Sequence, residues 1–218
     1  MSTQAADYID VIAQLPSGSR LVLYDVAWDE YDRVLDQIGD RSHFLISYEN
    51  GRMEIVSPSA KHEKYKNLLH DLVLILGDEL SLEVLSYGST TLKIKAMKKG
   101  AEADDCFYIQ HAADIGNKDD IDLTLDPPPD LVVEIDLIHE STGKLAIYAA
   151  LGVPEIWRFD GSDWQILHLS GQEYSGAESS LAFPFLQPHH LSEFISNSAT
   201  SGPSQARRNL RSWLRSFT

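Results

Sequence analysis

Residues 130–137, DLVVEIDL, constrain the fold of this chain more than any other segment, because they form an apolar run with acids set inside it. A run this apolar, bounded by turn residues, predicts a central strand of a sheet. Side chains alternate faces along a strand, so Leu131, Val133, Ile135 and Leu137 point one way while Asp130, Val132, Glu134 and Asp136 point the other. Glu134, flanked by Val132, Val133 and Ile135, is expected to be buried. A buried carboxylate requires a metal, a lysine or a proton. The next segment, STGKLAIYAALG, predicts a helix that stops at Gly152. Steps of about 100° per residue place Lys144 on the same side as Ile147, Tyr148 and Leu151, the stripe that should face the sheet. The cation is therefore aimed at the acids.

The rest of the chain is arranged around this pair. Up to residue 56 there is an apolar LVLY, a helix around WDEYDRVLDQIG, and two strand-like runs, HFLISY and RMEIVS, about Asn50-Gly51, a hairpin signal. From Ser59, a plausible N-cap, a helix follows with Tyr65, Leu68, Leu69, Leu72, Val73, Leu76 and Leu80 at helical spacing. LEVLSYGSTTLKIK reads as two strands or one bent strand, and AEADDCFYIQ as another. Residues 111–129 end in Pro127-Pro128-Pro129 and read as a loop. EIWRFDG begins the last core strand, and DWQILHLSGQEY adds a hairpin. SNSATSGPSQ has the composition of a linker, and ARRNLRSWLRSF forms a basic amphipathic helix with Arg207, Arg208, Arg211 and Arg215. This gives three parts: an accessory segment at 1–56 packed on the core, a core at 57–195, and a linker with a basic helix at 196–218.

At 218 residues and 43% hydrophobic content the chain can bury a full core. No apolar run is long enough to span a bilayer, MSTQAADYID lacks a basic region followed by an apolar one, and the one cysteine, Cys106, fits a reducing compartment. The expectation is a cytoplasmic protein without membrane contact. A formal net charge of −15 argues against non-specific affinity for nucleic acid. It does not exclude a nuclease, whose acidic site holds a cation. Basic residues do cluster at Lys61, Lys64 and Lys66 and at Lys93, Lys95, Lys98 and Lys99, where a solvated face is the plainer reading.

Two acids on adjacent strands and one lysine meet the demands of metal-assisted phosphodiester hydrolysis: carboxylates for a hard divalent cation, and an ammonium to orient water or stabilise charge. Glu134 supplies one acid. Asp104 and Asp105 point to opposite faces, so only one of them can supply the second. His62 lies on the apolar stripe of its helix, either as a core or capping group or as a contact to phosphate or water. No GxSxG, P-loop, dinucleotide glycine motif or HExxH occurs.

SPSAKHE, GSTTLKIKAMKKGAEADDCFYI, PPPDLVVEID and LAIYAALGVPEIWRFDG, in this order, resemble the Uma-two-type restriction endonuclease family, abundant in cyanobacteria. The resemblance spans roughly residues 20 to 195. It implies the PD-(D/E)XK nuclease superfamily: a mixed α+β sheet in helix, three strands, helix, strand order. The expected fold is thus a restriction-endonuclease-like α/β core with helices on both sides and an N-terminal β-hairpin extension. The resemblance makes Asp104 the aspartate of the first half-motif and Glu134 the acid of the second. Ala103 replaces the motif's proline, and Asp136 stands where the lysine usually is. Lys144 is the residue that can fill the displaced role, and His62 matches the histidine of the family's first helix. The implied function is a Mg2+- or Mn2+-dependent DNA endonuclease. Asp104 and Glu134 are the expected metal ligands, Asp136 binds a second metal or tunes Glu134, and two chains pair as a homodimer by analogy. The alternative is an inactive nuclease fold in which Glu134 and Lys144 form a structural ion pair.

Overall fold

The computed structural model describes residues 4–39, 43–137 and 142–216. The chain begins with α1 (Gln4–Ala13), β1 (Arg20–Leu23), α2 (Trp28–Ile38), β2 (Leu45–Glu49) and β3 (Arg52–Val56). β2 and β3 form the hairpin that Asn50-Gly51 predicts: both turn residues have positive φ, 47° and 94°, as a two-residue turn matching strand twist requires. α3 (Ala60–Leu80) starts at its predicted cap, where Ser59 Oγ accepts a hydrogen bond from His62 N at 3.2 Å. Next come β4 (Leu85–Ser86), β5 (Thr91–Ile94), β6 (Lys99–Glu102), β7 (Asp105–Tyr108), α4 (Ala112–Ile115) and β8 (Leu131–Ile135). The chain ends with α5 (Thr142–Leu151), β9 (Glu155–Phe159), β10 (Trp164–Ser170), β11 (Glu173–Gly176), α6 (Pro188–Ser201) and α7 (Pro203–Leu214).

These strands make two sheets. The first, in order β1-β3-β2-β6-β5, is antiparallel throughout. The second, in order β11-β10-β9-β8-β7-β4, is mixed, because β8 and β9 run parallel. Parallel neighbours need a crossover connection, and α5 provides it. β8 is central and buried along its whole length. Its Leu131, Val133 and Ile135 face a core completed by Leu69, Leu72 and Leu76 of α3, with α6 and α7 behind. Its Val132 faces a second core with Ile147, Tyr148 and Leu151 of α5. Helices therefore cover both sides of this sheet, in an α+β arrangement of the restriction-endonuclease-like type.

The same second core also contains Leu92 and Ala101 of the first sheet, so α5 is sandwiched between the sheets. That position explains a helix apolar around most of its circumference rather than along one stripe. The outer face of the first sheet buries Ile46, Met53 and Ile55 against Tyr31 and Val34 of α2. No helix among the described residues is long and apolar enough to cross a membrane.

Several segments differ from the sequence expectation or refine it. AEADDCFYIQ is not one strand: β6 ends at Glu102 in the first sheet and β7 begins at Asp105 in the second, so the chain changes sheets at Ala103-Asp104. LEVLSYGSTTLKIK likewise divides between sheets as β4 and β5. The loop at 111–129 holds the short helix α4, and α1 had no clear periodic signal. SNSATS is not a linker but the second half of α6, whose Leu191, Phe194 and Ser198 are buried. Packing overrides weak helix propensity there. Ser141, the first residue of the expected helix α5, lies outside the described residues.

Candidate active site

Antiparallel pairing sets Asp105 opposite Val133, so one step back along the chain sets Asp104 opposite Glu134. The pairing extends past the strand, since Ile135 N donates to Asp104 Oδ2 at 2.6 Å. Both carboxylates are 1% exposed. Were both ionised, like charges about 5 Å apart would repel by roughly 3 kcal/mol at an effective dielectric near 20. Such a pair needs cations around it or a proton on one member. Lys144 Nζ lies 3.2 and 3.0 Å from Glu134 Oε1 and Oε2 and donates to the Glu102 carbonyl at 3.0 Å. Tyr148, one turn further along α5 and on the same face, donates its hydroxyl to Glu134 Oε1. From the other side, His62 Nε2 lies 3.0 Å from Asp104 Oδ2. The first turn of α3 thus delivers one cationic group and α5 the other.

The two acids are pushed in opposite directions. Burial raises the Glu134 carboxyl to about 8, against the pull of Lys144 and with Asp104 and Asp136 adding to the rise. Burial also works against the Asp104 charge, but the His62 hydrogen bond and the Lys144 field hold its carboxyl below the usual range. Burial opposes the Lys144 charge as well, and Glu134 and Asp104 outweigh it, keeping the ammonium charged. The His62 imidazole is likewise raised, because Asp104 outweighs burial. Carboxyls held apart in this way are the pattern of a site that handles cations or protons near neutral pH.

The other candidates fall into place around this centre. Asp136 lines the same cleft, with its Oδ2 2.6 Å from Arg158 Nε. Asp105 turns to the α3 side, where His70 Nδ1 lies 2.7 Å away. Asp130 receives the backbone N–H groups of Ile109 and His111 and organises the β7 end. Cys106 is fully buried, and burial pushes its thiol up. Lys93, Lys95 and Lys99 each pair with an acid: Asp32 at 2.7 Å, Asp29 at 3.0 Å and Glu49 at 2.6 Å.

Sequence reasoning did not single out Tyr148, Arg158, Arg20, Arg52 or Glu54 as site residues. Tyr148 was detectable, since it is four residues from Lys144 on the inward stripe. Arg20, Arg52 and Glu54 line the cleft only because the first sheet folds over it.

No three His, Cys, Asp or Glu side chains converge into a ready metal cage among the described residues. Two adjacent buried carboxylates at an open cleft suit a hard divalent ion, which takes one or two carboxylates and completes its shell with water and substrate oxygens. Both hydrogen bonds to Asp104 from His62 and Ile135 fall on Oδ2, so Oδ1 carries neither. In comparison with known proteins, the family model Uma2, described as "Putative restriction endonuclease", matches residues 28–197. No curated protein matches the chain.

Proposed function

The chain belongs to the Uma2 family, within the PD-(D/E)XK nuclease superfamily, and from that premise we propose that it is a metal-dependent endonuclease hydrolysing DNA phosphodiester bonds. The observation that carries this reading is the buried pair Asp104 and Glu134, set side by side at a cleft with Lys144 on Glu134. A divalent cation held by these two carboxylates would neutralise charge on the phosphate and favour ionisation of water. Lys144 orients the attacking water and stabilises negative charge as it develops. Tyr148 fixes the Glu134 carboxyl, and His62 fixes that of Asp104. Asp136, anchored by Arg158, adds negative field that tunes Glu134. On this reading the reaction occurs in the cytoplasm, with two copies pairing to cut both strands of a duplex by analogy with restriction-like folds.

Cleavage of supercoiled plasmid and of single-stranded DNA in Mg2+ or Mn2+ tests this. The wild type cuts, Glu134→Ala abolishes cutting, and Lys144→Ala slows it by about 100-fold or more, the cost of losing one preorganised charge stabiliser. A wild type that cuts nothing, or variants that cut like it, overturns the reading. One observation favours a second reading, a non-catalytic scaffold: Lys144 engages both oxygens of Glu134, as a purely structural ion pair would. The same assay decides, since a scaffold cuts nothing in any form.

A further inference from the structure

The proposed hydrolysis needs something to hold the DNA strand over the carboxylates, and the first sheet offers it. Along β3, Arg52, Glu54 and Val56 share one face, while Met53 and Ile55 are buried on the other. Register places Arg20 of β1 opposite Val56, so Arg20 reaches Glu54 diagonally, with Nη1 3.7 Å from Oε1. Arg52 bonds the other oxygen of Glu54 through Nη2. Two guanidinium groups thus share one carboxylate, on the wall of the same cleft that Asp104, Glu134 and Lys144 line. Glu54 is largely buried at 13% exposure, whereas Arg20 and Arg52 keep 39% and 38%. One carboxylate, even with the Tyr24 hydroxyl also bonded to Arg52, cannot occupy the donors of two guanidinium groups, so it aims them and leaves N–H groups over.

The location supports the same reading. Arg52 lies against the start of α5: a Cβ placed on Gly143, the residue before Lys144, would come 3.8 Å from Arg52 Nη1. Lys93, Lys95 and Lys99 on the rim of this sheet each pair with one acid, whereas Arg20 and Arg52 set two positive charges against the single carboxylate of Glu54. Guanidinium is the side chain best matched to a phosphate, which it can grip through two parallel hydrogen bonds.

We propose that Arg20 and Arg52, oriented by Glu54, form a clamp for a backbone phosphate of the DNA strand lying in the cleft. This rests on the nuclease reading, and the test separates the two. Binding of a labelled duplex is followed by fluorescence anisotropy in EDTA across a KCl series, and KM and kcat for plasmid cutting are measured in Mg2+. Arg20→Ala and Arg52→Ala each weaken binding about tenfold and flatten the slope of log K against log salt by about 0.9. KM rises by a similar factor while kcat stays within about twofold. Arg52→Lys recovers the salt slope but only part of the affinity, because it keeps the charge and loses the fork. Lys95→Ala, remote and exposed, changes nothing. Each single arginine variant leaves Glu54 with the other guanidinium, so the fold is kept, and thermal midpoints verify this. If the wild type binds or cuts and the arginine variants match it in affinity, slope and KM, the clamp is wrong and the nuclease reading stands. If the wild type binds without cutting and the variants lose affinity, the clamp stands and hydrolysis does not. If the wild type neither binds nor cuts, both are overturned.

Discussion

Glu134 is the residue on which the site turns, because it is buried beside another acid and its charge depends on Lys144. Its carboxyl is raised from a usual 4.5 to about 8. A group raised in the fold contributes stability fully present below its unfolded value, and that contribution is lost as pH rises through the folded value. Lys144 is the stronger of the two groups that hold this rise down, the other being Tyr148. Lys144→Met therefore lets Glu134 keep its proton to higher pH, and the variant goes on losing stability above pH 8 where the wild type has finished doing so. Urea unfolding at neutral pH and again above pH 8 measures this: the deficit of Lys144→Met is modest at first and widens with alkalinity. A deficit independent of pH would show that Glu134 is ionised without its lysine. The residue types were legible here from alternation alone. What alternation could not supply was the second acid, because Asp104 and Asp105 lie at a change of sheet that the continuous run AEADDCFYIQ conceals.

Among the elements, α3 and α5 converge on the end of β8 where Asp104 crosses over, and each carries the side chain that meets one of the paired acids within its first turns. The Ser59 cap is thus more than a helix start. Its hydroxyl receives the N–H of His62, the residue that holds Asp104. Ser59→Ala removes that bond and costs about 1 kcal/mol, a fall in the thermal midpoint of about 2 to 4 °C for a chain of this size. Ser59→Asp, which keeps an acceptor at the cap, restores most of it; equal midpoints for the two variants would mean that the cap does not hold the helix start. Elements with a local signal were legible: the Asn50-Gly51 hairpin, the Ser59 cap, and Gly152 ending α5 with φ at 82°. Those fixed by partners were not. The second half of α6 is rich in Ser and Asn, poor helix formers, and continues a helix anchored by buried Leu191 and Phe194 before it and buried Ser198 within it. The basic α7 was readable as a helix but its partners were not: Arg207 meets Asp71 and Arg215 meets Glu79 on α3. Those pairings join positions far apart along the chain, beyond the reach of any local pattern.

At the scale of the molecule, the cleft is a seam between layers: α3 and β8 on one side, α5 in the middle, and the first sheet as the opposite wall. A ligand held there touches parts of the chain that are brought together only on folding, so it binds the folded state alone. Binding of that kind stabilises by mass action, about 2.7 kcal/mol at a concentration 100 times the dissociation constant, which corresponds to a rise in midpoint of about 5 to 10 °C. Thermal unfolding in EDTA, Mg2+ and Mn2+ reads this directly. The wild type gains in the presence of the ion, and Asp104→Asn, which keeps the shape and removes the charge, abolishes the gain. Lys144→Met is the informative companion. If Lys144 and Glu134 are only a structural pair, the variant shows no ion-dependent gain. If Glu134 is a metal ligand, the variant still gains, most clearly at alkaline pH where the ion has less of the proton on Glu134 to displace, even as cutting is lost. An undiminished gain in Asp104→Asn would place the ion elsewhere on this acidic surface and remove the basis for a metal at the cleft.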